Sequence, residues 1–168
     1  MAYSNEQMEK AYAAGYQYQA TRGFCPQCVL AALQDAIGGI DEIVFRAAQG
    51  LSGGTASCGS GTCGALAGGI LMIGTRFGRS REAFDQGDAD RKISQISKEL
   101  TDRFLTAYGD YTCAGVQKAC LGRSFNLWDL AEKQLFNDLG GHSEVCAAVV
   151  GNAAKWTIEI LNQYEVTG

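Results

Sequence analysis

Ile93, Ile96, Leu100, Phe104 and Ala107 recur at intervals of three and four residues. That spacing puts all five on one face of a helix of 3.6 residues per turn. The same period runs through most of the chain, and the two-residue alternation of a half-buried strand is absent. Pro26 is the only proline in 168 residues. The expected architecture is therefore all-α: a compact bundle of about six or seven helices with one Gly-rich loop. The length suits one domain spanning 1–168.

The punctuation supplies helix boundaries. A first helix is expected from Asn5 to Gln19, with Gly23 as a break. A second runs from Pro26 to Ile37, since proline suits a first turn, and Gly38-Gly39 stops it. Asp41 caps a short helix to Gln49. Residues 50–62 form a loop with five glycines, able to approach a bound group closely and to aim N–H groups at an anion. Helices follow over Cys63–Phe77, Asp88–Tyr108, Cys113–Leu121, Leu127–Leu139 and Ser143–Tyr164. In the last, Val145, Val149, Ala153, Trp156 and Ile160 make a core stripe. Gly64, Gly68, Gly69 and Gly74 each cost their helix about 1 kcal/mol relative to alanine. They point to a close neighbour, either another helix or a ligand.

Charge narrows the function classes. The chain has 14 basic and 18 acidic residues, a net charge of −4, and no basic tail. No nucleic-acid footprint is present. No stretch reaches the roughly 20 apolar residues of a membrane span, and the first residues lack the pattern of a signal peptide. A cytoplasmic location is expected.

Seven cysteines then carry the most information: Cys25, Cys28, Cys58, Cys63, Cys113, Cys120 and Cys146. A reducing compartment makes structural disulfides rare, and an odd number cannot pair off within one chain. Cys25, Cys63, Cys113 and Cys146 fall at or near four expected helix starts. Unpaired N–H groups there carry partial positive charge, lower a thiol pKa and favour a thiolate. Cys25-x-x-Cys28 has no second C-x-x-C partner, so this is not a zinc ribbon. It does not follow either usual ferredoxin spacing. The residues alone support a dispersed thiolate site for an unspecified metal.

Cys63-Gly64-Ala65-Leu66-Ala67-Gly68, preceded by the glycine loop, resembles the core of a family of redox-active proteins named for a C–GCAxxG–C–C signature. The likeness extends over nearly the whole chain. Phe24-Cys25 with Val29-Leu30 is similar to its first cysteine helix, and Leu51–Thr62 to its loop. Tyr108-Gly109 before Cys113, and Cys146 before Val149-Val150 and Ala153-Ala154, are similar to its last two sites. The resemblance implies a small helical redox protein. A similar domain carries an iron–sulfur centre beside haem in split-Soret cytochromes. No C-x-x-C-H haem site occurs here, so haem is not implied.

Carried across, the resemblance implies Cys25, Cys63, Cys113 and Cys146 as ligands of an iron–sulfur cluster, [2Fe–2S] or [4Fe–4S]. Gly61, Thr62 and Gly64 would shield it and donate N–H bonds. Cys28, Cys58 and Cys120 fall outside the pattern. Cys28 lies one turn from Cys25 and Cys58 lies on the loop, so both are candidates for a larger or unusual cluster, or for a second redox pair. The implied role is electron transfer with a redox partner protein or a small carrier. Two other readings stand beside it. One is a metal-free thiol–disulfide oxidoreductase using Cys25 and Cys28. The other is a structural or storage site for zinc or copper. His142, the single histidine, is read as part of an exposed helix start rather than as a ligand. Tyr12, Tyr16 and Tyr18 share a face suited to core packing or a homodimer contact.

Overall fold

A computed structural model describes residues 2–165. These hold nine α-helices, a 3₁₀ turn and a π turn, with no strand; the lone β-type pairing joins Thr62 to Thr112. The all-α bundle is as expected, with more pieces than the six or seven foreseen.

Helix α1 (Asn5–Arg22) starts on a reciprocal cap. Ser4 Oγ accepts from Gln7 N at 3.2 Å, and Gln7 Oε1 accepts from Ser4 N at 2.9 Å. Helix α2 (Cys25–Ile37) has Pro26 in its first turn and begins one residue earlier than the sequence suggested. Helix α3 (Glu42–Ala48) is capped by Asp41, whose carboxylate accepts from Ile43 N at 2.9 Å. Helix α4 (Gly64–Phe77) follows the glycine loop.

A five-residue α5 (Arg81–Asp85), not expected from the sequence, precedes the expected Asp88–Tyr108 helix, which is shortened to α6 (Lys92–Tyr108) and starts four residues late. Asp88 Oδ1 accepts from Asp90 N and Asp90 Oδ1 from Lys92 N, both at 2.9 Å. These local turns compete with the helix, as aspartates do when their side chains reach their own backbone. Helix α7 (Cys113–Leu121) is capped by Thr112. Helix α8 (Leu130–Asp138) is capped by Asp129, later than the Leu127 start expected. A π turn at Gly141–Val145 then leads into α9 (Cys146–Glu165).

Helix α9 lies at the centre, against α1, α2, α4 and α6. Its Val149, Ala153, Ile158, Ile160 and Leu161 are buried with Leu30 and Leu33 of α2, Leu66 and Ile73 of α4, and Leu100 and Phe104 of α6. Each buried leucine, isoleucine or phenylalanine contributes about 1.5–3 kcal/mol. The expected α6 stripe holds at Ile96, Leu100 and Phe104, is partly exposed at Ile93 and ends before Ala107, which is exposed. On α1, Tyr12 packs on α9, where a Cβ on Gly151 would lie 2.9 Å from its ring. Tyr12 and Tyr18 of that face pack inward, and all three tyrosines are half-buried. No helix among the described residues is long and apolar enough to cross a membrane.

Candidate functional site

Two sets of contacts bring distant cysteines together. The first joins the glycine loop to the segment before α7. Cys63 N donates to Tyr111 O at 2.8 Å, Cys113 N to Gly61 O at 3.0 Å, and Ala114 N to Gly59 O at 2.8 Å. With the Thr62–Thr112 pairing, this two-stranded clasp fixes the start of α4 against the start of α7. The second set joins α4 to α2. A Cβ on Gly64 would lie 2.9 Å from Pro26 Cδ and 3.0 Å from Cys25 Cβ, and one on Gly68 would lie 2.8 Å from Pro26 O. The glycines let the two backbones touch. Helix–helix contact accounts for their close approach.

The outcome is a small cavity of about 20 Å³ lined by Cys25, Cys63, Cys113 and Cys146 with Gly64, Val116 and Val149. Cys25, Cys113 and Cys146 also line a larger cavity of about 240 Å³ that holds Ser52, Gly53, Gln117 and His142. Three of the four stand at a helix start, and Cys146 opens α9 where the π turn runs straight into it, its own N–H donating to Gly141 O. Cys63 is the N-cap of α4, and the others are the first residues of α2, α7 and α9. The π turn before Cys146 adds a residue to the helical path immediately ahead of it.

The electrostatics oppose one expectation. Helix starts were expected to lower the thiol pKa values, yet all four are raised. Burial pushes Cys25 up to about 12, and negative charge on Cys113 and Cys28 adds to it. Cys63 is raised by burial, then by Cys25 and Cys113. Cys146 is raised by burial, then by Cys25, Cys63 and Cys113. Burial also raises Cys113, against the hydrogen bond from Gln117. At Cys25 and Cys63 the backbone does act in the expected sense. N–H groups of Cys25 and Gly53 favour the charged form of Cys25, as those of Ala65 and Leu66 favour that of Cys63, although Cys63 makes no formed capping bond. Desolvation and mutual repulsion outweigh them.

The loop over the site has an unusual backbone. Gly53, Gly54, Thr55, Ala56 and Ser57 have φ of 62°, 73°, 65°, 50° and 57°, a full turn of left-handed conformation. Three of these residues are not glycine, and each costs about 1–2 kcal/mol there. Such strain clusters at functional sites. The turn is held by Ala56 N to Gly50 O and Ser57 N to Ser52 O, both at 2.9 Å. Trp128 Nε1 also donates to Ala56 O at 2.9 Å. A Cβ on Gly54 would lie 2.7 Å from Cys113 Cβ, so this glycine admits the cysteine. Gly61 and Thr62 work in the clasp, and Gly64 lines the inner cavity.

The remaining cysteines lie apart. Cys28 is buried in a neighbouring cleft with Tyr18 and Phe45, and its Sγ donates to Gly23 O at 2.8 Å. Cys58 and Cys120 are exposed. Among the described residues, no group of three or more His, Cys, Asp or Glu side chains is set to hold a metal ion.

Two polar residues at the site, Gln117 and Ser52, escaped notice in the sequence, and a third, His142, was read as exposed. Gln117 is buried, and its Nε2 donates to Cys113 Sγ at 3.3 Å. Its place one helical turn after Cys113 was the available signal. Ser52 is buried with no partner for its Oγ and lines the larger cavity. His142, expected in solvent, lines that cavity too, edge-on to Phe136 with Gln19 Nε2 3.0 Å from its Nδ1. Burial, then Lys133, lowers its pKa. Gly140-Gly141 suggested exposure, but Gly141 lies so tightly on the Phe136 ring that the turn is drawn inward.

No curated protein and no solved structure matches the chain. The family model described as putative redox-active protein (C_GCAxxG_C_C) matches residues 24–160, a span that opens one residue before Cys25 and takes in every cysteine of the inner cavity. With most of its length inside that match, the chain belongs to the C_GCAxxG_C_C family of redox-active proteins.

Proposed function

We propose that the chain is an electron-transfer protein whose Cys25, Cys63, Cys113 and Cys146 hold an iron–sulfur cluster. The observation that carries this reading is the shared cavity: four thiols from four distant segments, with no carboxylate among the residues lining it. Thiolates are the usual ligands of such clusters. A [4Fe–4S] cluster gives each thiolate its own iron and a [2Fe–2S] cluster shares four thiolates between two irons, so the sulfurs need not converge on one ion. That agrees with the absence of a single-ion arrangement among the described residues. It also weighs against the zinc or copper alternative. When bound, the cluster would supply a one-electron couple.

The surrounding residues suit that charge. Raised thiol pKa values mean that four thiolates are not stable together here without a cation to neutralise them. The Gly53, Ala65 and Leu66 N–H groups and the Gln117 amide favour negative sulfur, and hydrogen bonds to sulfur raise a cluster's potential. Ser52 Oγ, buried without a partner, is a further donor at the same wall.

The metal-free oxidoreductase fares worse. An attacking thiol works best with a pKa near ambient pH. Cys25 and Cys28 are both pushed up to about 12, chiefly by burial. Protein purified without oxygen, or reconstituted with iron and sulfide, should be brown and should bleach reversibly on one-electron reduction. A colourless, iron-free product after both treatments would sink the proposal.

A further inference from the structure

Three clefts meet at Phe24. The cavity of about 240 Å³ over Cys25, Cys113 and Cys146 is one. A second, of about 300 Å³, lies between Phe24, Arg22 and Phe45. The third, of about 420 Å³, separates Phe24 from Arg46 and Trp128. Arg22 borders the first two, Lys133 the first and Arg46 the third. No aspartate or glutamate is among the residues lining any of them. The chain as a whole has net charge −4, whereas these clefts are lined by three cations, Arg22, Arg46 and Lys133, and no carboxylate; exposed Asp129 beside Trp128 and Glu42 one turn before Arg46 lie outside the lining.

The middle of the face is aromatic. Phe24 is 49% exposed and Trp128 is 72% exposed. Both are held outward at a cost or by a bond. Phe24 has φ of 60°, a conformation that costs a non-glycine residue about 1–2 kcal/mol. Trp128 is tied by its indole N–H to Ala56 O on the left-handed turn. An apolar centre with a charged rim is the anatomy of a small transient contact, and electron-transfer encounters lie at the low end, below about 1,200 Å². Phe24 is also bonded directly to Cys25, so this face is the surface nearest in sequence to a proposed ligand.

We infer that this face docks an acidic electron-carrier protein, with Phe24 and Trp128 at the centre and Arg22, Arg46 and Lys133 around them. The inference rests on the cluster reading above and adds the partner's class and place. One electron would pass from the carrier's reduced centre to the cluster in each encounter, with no bond made or broken. A second copy of the chain is the poorer occupant, because a two-fold contact would set the cations against themselves.

The test uses cluster-loaded protein and a reduced plant-type [2Fe–2S] ferredoxin as the acidic carrier, with dithionite as a small control reductant. At low salt, Arg46→Glu should slow reduction by ferredoxin about tenfold and Arg46→Gln less, and the wild-type rate should fall steeply with salt. The extent of reduction reached with dithionite and the iron content should be unchanged in both variants. Arg46 is exposed on α3 and lines the third cleft, away from the cysteines, so neither variant threatens the core. A reducible cluster whose ferredoxin rate ignores both charge and salt overturns the docking alone. Dimers in solution that Arg46→Glu drives apart or tightens overturn it in favour of self-association. Absence of any reducible cluster overturns the proposed function and this inference with it.

Discussion

Gln117 donates its amide to Cys113 Sγ at 3.3 Å while its Oε1 accepts from Phe125 N at 2.9 Å. One buried side chain thus ties a sulfur of the site to the loop that follows α7. Gln117→Leu removes both bonds. Leaving the buried Phe125 N–H unpaired should cost about 1–3 kcal/mol, read by urea or thermal unfolding. Loss of the bond to sulfur should lower the cluster's reduction potential, read by spectroelectrochemistry. An unchanged potential would mean that the amide does not act on the cluster.

Gly68→Ala would place a Cβ 2.8 Å from Pro26 O and Val29 Cβ, where backbone cannot give way cheaply. The expected cost is about 1–3 kcal/mol in unfolding free energy. Iron content should also fall, because the starts of α2 and α4 are pushed apart and take Cys25 and Cys63 with them. Full iron content in a destabilised Gly68→Ala would separate packing from ligand geometry.

Ala56→Gly should act in the other direction. Ala56 has φ of 50°, which glycine adopts without strain. After the entropy that glycine loses on folding, a gain of about 0.5–1 kcal/mol is expected. The same substitution at Ala32, buried inside α2, should destabilise.

Thiol burial predicts the pH behaviour of metal-depleted protein. With Cys25 pushed up to about 12, its alkylation at pH 8 should be on the order of a thousandfold slower than that of an unperturbed thiol. Exposed Cys58 should react first, as mass spectrometry would show. The raised pKa values also set a stability trend. The unfolded chain loses thiol protons from about pH 8.5, while the folded chain keeps them. Stability is therefore full below that pH and falls as pH rises through the folded-state values. Denaturation curves between pH 7 and 10 that do not move would contradict the burial.

The helices were legible because they rest on local rules. Asp41 before Ile43 and the α6 stripe at Ile96, Leu100 and Phe104 each work within a few residues. Misjudged boundaries have local competitors: the chained aspartate turns of 88–92 delay α6, and the Asp129 cap delays α8. At the site, Cys25, Cys63, Cys113 and Cys146 were readable as lying at or near helix starts. The clasp between 59–63 and 111–114 was not, since its bonds are backbone to backbone and leave no side-chain signature. The sign of the thiol shifts was also hidden. It depends on how deeply four sulfurs from distant segments are buried together, which no single segment encodes. His142 was misplaced for a similar reason, because Phe136 and Gln19 reach it only through the fold.

Iron and acid-labile sulfide, measured in anaerobically reconstituted wild type and in each cysteine-to-serine variant, test the central claim most directly. The account predicts that Cys25→Ser, Cys63→Ser, Cys113→Ser and Cys146→Ser each lose the cluster or its wild-type spectrum, while Cys58→Ser and Cys120→Ser keep both. Wild-type iron and spectrum in any of the first four, or no iron in the parent chain, would contradict it.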